Sequence, residues 1–84
     1  SAGRLLDKAG VKDFKVGGAS VWDGHCNFIV NSDNATSRDV LELMLKMHNA
    51  VKDKYTISLV PEVKYFGKKS KREEEICNIL YSQK

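Results

Sequence analysis

"TSRDVLELMLKMHNAVKDKY", residues 36–55, decides the fold. Val40, Leu43, Met44, Met47, Val51 and Tyr55 recur at spacings of three and four, which makes one stripe apolar on a helix of about five turns. Thr36, with Asp39 three residues later, resembles a capping box, in which hydroxyl and carboxylate each take one of the amides left unpaired at a helix start. "SDNAT", residues 32–36, concentrates turn residues just ahead of it. Met44 and Met47 lie on the apolar stripe and read as packing rather than as sulfur chemistry. Such a helix is stabilised mainly by the apolar surface it covers, and the flanking stretches supply one.

Upstream, "HCNFIVN" (25–31) alternates as a strand, with Cys26, Phe28 and Val30 on one face and His25, Asn27, Ile29 and Asn31 on the other. "FKVGGASVW" (14–22) is strand-like but contains Gly17-Gly18, which signals a bulge or another group close to the backbone. "SAGRLLDKAG" (1–10) predicts a short helix stopped by Gly10 at the position after its C-cap. It begins with nothing before it to pack against, which suggests a piece of a longer chain. Downstream, "LVPEVKYFG" (59–67) alternates as a strand. Leu59, Pro61, Val63 and Tyr65 form one apolar face; Val60, Glu62, Lys64 and Phe66 form the other. "KKSKREEEICNILYSQK" (68–84) offers Ser70 as N-cap with Glu73 at N3, then Ile76, Ile79 and Leu80, so it predicts a terminal helix of about three turns. The order α-β-β-α-β-α implies an α+β fold, a two-layer sandwich with helices on one face of a small mixed or antiparallel sheet.

The chain of 84 residues is one domain, near the lower end of what folds without staples. Its 42% hydrophobic and 30% charged content is that of an ordinary globular domain. Fourteen basic residues against eleven acidic give +3, which suits an anion but is no nucleic-acid signature. Two cysteines, Cys26 and Cys77, are too few for a disulfide framework and have no metal-ligand partner at close spacing. Free thiols fit a reducing cytoplasm. No apolar run approaches the roughly 18 residues of a membrane span, and no signal peptide is visible. No metal-binding motif is present, and the Asn34-Ala35-Thr36 sequon reads as accidental without a secretory signal.

The polar residues admit two readings each. Glu62 and Lys64 are a surface ion pair or part of a site. His25 is a solvent-facing strand residue or a ligand contact, and Lys12 a loop lysine or an anion contact. Lys68, Lys69, Lys71 and Arg72 could meet phosphates, but Glu73, Glu74 and Glu75 follow at once and cancel their field, as at a solvated helix start. No chemistry is compelled by these residues alone.

Three stretches in order, "AGRLLDKAGVKDFKVGGASV" (2–21), "HCNFIVNSDNATSRDVLELM" (25–44) and "LVPEVKYFG" (59–67), resemble the C-terminal, substrate-binding domain of the UDP-N-acetylenolpyruvoylglucosamine reductases. The resemblance implies an α+β domain over 1–84, with 67–84 an extra tail, that closes over substrate. The FAD-binding domains of that enzyme precede it and are absent from this chain. The complete enzyme would reduce the enolpyruvyl ether of UDP-N-acetylglucosamine to UDP-N-acetylmuramate for peptidoglycan synthesis, in the cytoplasm. The hydride comes from NADPH by way of FAD. This chain alone would bind neither cofactor and would be inactive, and it would take no nucleic acid, membrane or metal.

By the same resemblance, Glu62 in Pro61-Glu62-Val63 is the catalytic glutamate, which bonds or protonates the substrate carboxylate as an enolate forms. Lys12 would bind the nucleotide diphosphate and His25 the diphosphate or sugar. Lys64 stands where the family usually has arginine, and so offers a point charge in place of a fork. Asp13 stands where glycine is common beside the lysine. Two rival readings are a stand-alone anion- or RNA-binding module and a degenerate domain that keeps the fold without the activity.

Overall fold

A computed structural model describes residues 2–22, 24, 29–31, 33–55 and 70–81. Helix α1 (Ala2–Lys8) is followed by a 3₁₀ turn (Val11–Asp13), strands β1 (Lys15–Val16), β2 (Ala19–Val21) and β3 (Ile29–Asn31), and helices α2 (Ser37–Tyr55) and α3 (Lys71–Tyr81). The strands form an antiparallel sheet in the order β1-β2-β3. The fold is α+β, as the sequence predicts; the expected strand at 59–67 lies outside the described residues.

The chain ends its helices where the sequence says. Gly10 adopts the left-handed conformation (φ 77°, ψ 30°), which closes α1 and leads into the 3₁₀ turn. Both capping boxes form. Thr36 Oγ1 accepts from the Asp39 amide at 3.0 Å while an Asp39 carboxylate oxygen accepts from the Thr36 amide at 3.0 Å. Ser70 and Glu73 exchange the equivalent pair at 3.2 and 3.0 Å.

One expectation needs correction. Residues 14–22 are not one strand with a bulge. Lys15 pairs with Ser20 and Val16 with Ala19, so Gly17-Gly18 is the two-residue turn of a tight hairpin, with φ of 54° at Gly17. The alternative reading of the glycine pair, a group close to the backbone, holds at Gly18. A Cβ there would overlap the Asp33 carbonyl oxygen and stand 2.7 Å from the Ala35 amide nitrogen.

Helix α2 buries two faces, not one stripe. Leu43, Met47 and Val51 pack with Leu6 of α1, Val11 of the 3₁₀ turn, and Ala19 and Val21 of β2. Leu41 and Leu45 pack instead with Ile76, Cys77 and Leu80 of α3, flanked by Met44 and Tyr81. The sheet and α1 therefore cover one side of α2, and α3 covers another. Burying Leu41, Leu43, Ile76, Leu80, Val11 and Val51 almost completely removes about 1.5–3 kcal/mol worth of apolar surface from water for each side chain.

Candidate substrate-binding site

Lys12 is the one sequence-derived site residue that falls among the described residues. It is exposed in the middle of the 3₁₀ turn, whose first residue, Val11, is fully buried in the core. The Phe14 amide donates to the Val11 carbonyl at 2.9 Å, and the Val21 amide donates to the Phe14 carbonyl at 3.2 Å, extending the β1–β2 ladder toward the turn. Lys12 thus projects from a short turn pinned at both ends. Asp13 beside it is exposed too. Lys46 of α2 places its ammonium 4.6 Å from the centre of the half-buried Phe14 ring, which brings a second cation toward this end of the sheet. Glu62, His25 and Lys64 lie outside the described residues, as do Cys26, Lys68 and Lys69.

The turn and the start of α2 are joined by one carboxylate. Asp39 accepts from the Thr36 amide at 3.0 Å and from the Gly18 amide at 3.3 Å. The Thr36 amide first, then the Gly18 amide, hold the Asp39 carboxyl below its ordinary pKa, with Arg38 adding a smaller pull. Around this point the loop before α2 is tightly set. Asn34 has φ of 49°, a conformation asparagine tolerates, and the Asn31 side-chain oxygen accepts from the Ala35 amide at 2.9 Å. The Asp33 amide donates to the Gly18 carbonyl at 3.2 Å. The sequence showed Asp39 as a helix cap; its bond to Gly18, twenty-one residues away, had no local signal.

Of the basic run before and at the start of α3, Arg72 is committed to carboxylates. Arg72 donates to both oxygens of Glu42 on α2, from Nε at 2.9 Å and Nη2 at 3.0 Å, and also approaches Glu75 at 3.6 Å. That fork lowers the pKa of Glu42 and raises that of Arg72. A shallow depression between β1 and α2, lined by Val16, Arg38, Asp39, Glu42, Leu45 and Lys46 among others, is mixed in charge and suits no single ionic ligand. Cys77 is a buried thiol in the α2–α3 contact. Among the described residues no three His, Cys, Asp or Glu side chains gather to hold a metal, and no helix is long and apolar enough to cross a membrane.

Comparison with known proteins identifies the family. Residues 1–66 match the family model described as UDP-N-acetylenolpyruvoylglucosamine reductase, C-terminal domain. Proteins named UDP-N-acetylenolpyruvoylglucosamine reductase are similar to the chain at 46% identity over 66 residues in Clostridium botulinum (strain Eklund 17B / Type B) and at 47% over 68 residues in Bacillus licheniformis. Those alignments cover 79% and 81% of this chain but 22% and 37% of the relatives. A Desulfosudis oleivorans protein of the same name is 47% identical over 66 residues, 21% of its own length. The chain thus spans roughly a fifth to a third of the curated relatives it matches, and α3 (Lys71–Tyr81) lies beyond the part matched by the family model. The family match over residues 1–66, with these identities, establishes that the chain belongs to the C-terminal-domain family of the UDP-N-acetylenolpyruvoylglucosamine reductases.

Proposed function

We propose that this chain is the substrate-binding domain of a reductase that converts UDP-N-acetylglucosamine enolpyruvate to UDP-N-acetylmuramate in the cytoplasm, working with FAD-binding domains outside these 84 residues. The observation that carries the reading is the family match over residues 1–66 at up to 47% identity, which takes in Lys12, His25, Glu62 and Lys64. When bound in the complete enzyme, FAD reduced by NADPH supplies the hydride. The residues of this chain bind, orient and protonate.

Lys12 is presented for the first of these tasks, an exposed ammonium on a pinned turn, suited to a diphosphate as a compact point charge. His25 contacts the sugar or diphosphate, and Lys64 contributes a point charge to substrate binding. Glu62 bonds the substrate carboxylate, or delivers a proton, where negative charge gathers on the enolpyruvyl group; a group aimed at charge that grows in the transition state speeds the reaction rather than merely tightening binding. The bidentate Arg72–Glu42 pair weakens the alternative of an RNA-binding module, because it commits the best phosphate fork of the basic run to a carboxylate.

The test is Glu62→Gln in the complete reductase, which keeps the volume and removes the carboxyl. Loss of one such group is expected to slow turnover by roughly 10²–10⁴-fold. Rapid mixing separates the steps: flavin reduction by NADPH should run at the wild-type rate and reoxidation by the enolpyruvyl substrate should be slow. Wild-type rates in both halves would remove Glu62 from the chemistry. A wild-type enzyme inactive in the second half alone would instead mark a degenerate domain, to which Asp13 and Lys64 would then point.

A further inference from the structure

We infer that Asp39 is a positioning residue that couples the start of α2 to the setting of Lys12 by holding the Gly17–Gly18 turn. The consequence for ligand binding rests on the reading of Lys12 as the diphosphate contact; the coupling itself does not.

The path runs through hydrogen bonds and strand pairing from Asp39 to the 3₁₀ turn. Asp39 sits three residues into the capping box, and the carboxylate that closes the box also accepts the Gly18 amide at 3.3 Å. Gly18 is locked from a second side, where its carbonyl accepts from Asp33 at 3.2 Å and its Cα has no room for a side chain. The turn sets the register of β1 on β2, Val16 against Ala19 and Lys15 against Ser20. One step further, Val21 of β2 holds the carbonyl of Phe14, and Phe14 in turn closes the 3₁₀ turn by bonding Val11. Lys12 is the central residue of that turn. The buried Val11 side chain fixes a point of the turn in the core, but one anchored side chain does not fix an orientation. The strand bond at Phe14 adds a second constraint, through which the hairpin bears on the turn's orientation.

A helix cap alone would not need this arrangement. Capping is satisfied by the Thr36–Asp39 exchange, and the neighbouring box at α3, Ser70 with Glu73, closes with the same two bonds. Asp39 has, besides its capping bond, a second acceptor role toward a residue distant in sequence. Its charge strengthens both bonds, because an ionised acceptor makes shorter and stronger hydrogen bonds than a neutral one. Among the described residues, Arg38 on its own helix is a nearby charge, and Glu42 and Lys46 line the same depression; the turn packed against it contributes the Gly18 amide and no charge.

The experiment compares four forms of the 84-residue chain by amide NMR with UDP as the probe: wild type, Asp39→Ala, Asp39→Asn and Thr36→Ala. Thr36→Ala removes the hydroxyl half of the cap and leaves the Gly18 bond, so it controls for helix capping. Asp39→Ala is expected to shift the amide signals of Gly18, Phe14 and Lys12 and to weaken UDP binding about tenfold, the equivalent of roughly 1.4 kcal/mol. Asp39→Asn keeps one acceptor oxygen and is expected to recover most of the Lys12 signal position. Thr36→Ala should perturb residues 35–40 and leave Lys12 and UDP affinity near wild type. If Asp39→Ala and Thr36→Ala act alike on Lys12, or neither moves it, Asp39 is a cap and no more, and the inference is overturned. If wild type binds no UDP while the Lys12 signal still follows Asp39, the coupling stands and the diphosphate reading of Lys12 is what has failed.

Discussion

Ile76→Ala tests how α3 is held. Ile76 is fully buried between α2 and α3, beside Leu41, Leu45 and Leu80. The substitution removes three carbons, at about 0.8 kcal/mol each close to 2.4 kcal/mol of transfer free energy. The residual cavity adds to this, and large-to-alanine changes in cores typically total about 2–5 kcal/mol. The cost need not fall on the whole domain. The Leu41–Leu45–Ile76–Cys77–Leu80 cluster shares no residue with the Leu6–Val11–Leu43–Met47–Val51 cluster, and an isolated eleven-residue helix is marginal in water. When its docking weakens, α3 should open by itself.

Native-state hydrogen exchange reads this directly, because locally opening segments lose protection without global unfolding. In Ile76→Ala the amides of residues 77–81 should exchange about 50–700-fold faster, the equivalent of roughly 2.4–4 kcal/mol at 1.4 kcal/mol per decade, while those around Leu43 and Val51 change far less. Acceleration under about threefold in α3 would refute the packing argument. Equal acceleration in both helices would refute the separation of the two clusters.

Gly18→Ala should destabilise the domain by about 1–3 kcal/mol, since the added methyl meets the Asp33 carbonyl and Ala35 amide rather than a flexible side chain. For a domain of this size that lowers Tm by roughly 4–24 °C, and a melt within 2 °C of wild type would show that the loop yields. Acid should destabilise the protein in a defined window. Asp39 and Glu42 have folded-state pKa values below their unfolded ones, so their stabilisation is complete above about pH 4.5 and is lost as pH falls through the folded values. Glu42→Gln should flatten part of that slope in urea titrations between about pH 2 and pH 5; an unchanged slope would show that the Arg72–Glu42 pair contributes nothing.

Legibility in the sequence follows the range of the interaction. Gly10, the Thr36–Asp39 and Ser70–Glu73 boxes, and the extents of α2 and α3 were readable because each depends on residues within four positions of one another. The second buried face of α2 was not. Leu41 and Leu45 are one turn apart and would suit a coiled or exposed helix equally well; only the arrival of Ile76 and Leu80 decides the matter. The Gly17-Gly18 pair shows the boundary between the two cases. Two glycines announce a special backbone, but a bulge and a two-residue hairpin differ in whether Lys15 finds Ser20 opposite, and pairing register is not a local property. In the sequence Arg72 looks like a solvated base at a helix start; its partner Glu42 lies thirty residues away. As for the candidate site, composition and spacing left Lys12, His25, Glu62 and Lys64 open to bland readings, and only the family resemblance gave them roles.

The division between local and distant bonds bears on how a binding residue can be set precisely on a small domain. Lys12 sits on a 3₁₀ turn of three residues, an element with little intrinsic stability. Its placement must be borrowed from the rest of the fold. Val11 borrows depth from the core, and Phe14 borrows direction from β2. The hairpin that carries β2 is itself too short to stand alone; it is tied at Gly18 to the start of α2, the longest helix present among the described residues. The placement of the lysine is therefore tied to a nineteen-residue helix through a carboxylate that already caps the helix and a glycine whose added Cβ would overlap a backbone carbonyl. A substitution at either of those two positions would leave Lys12 in the sequence and move it in space.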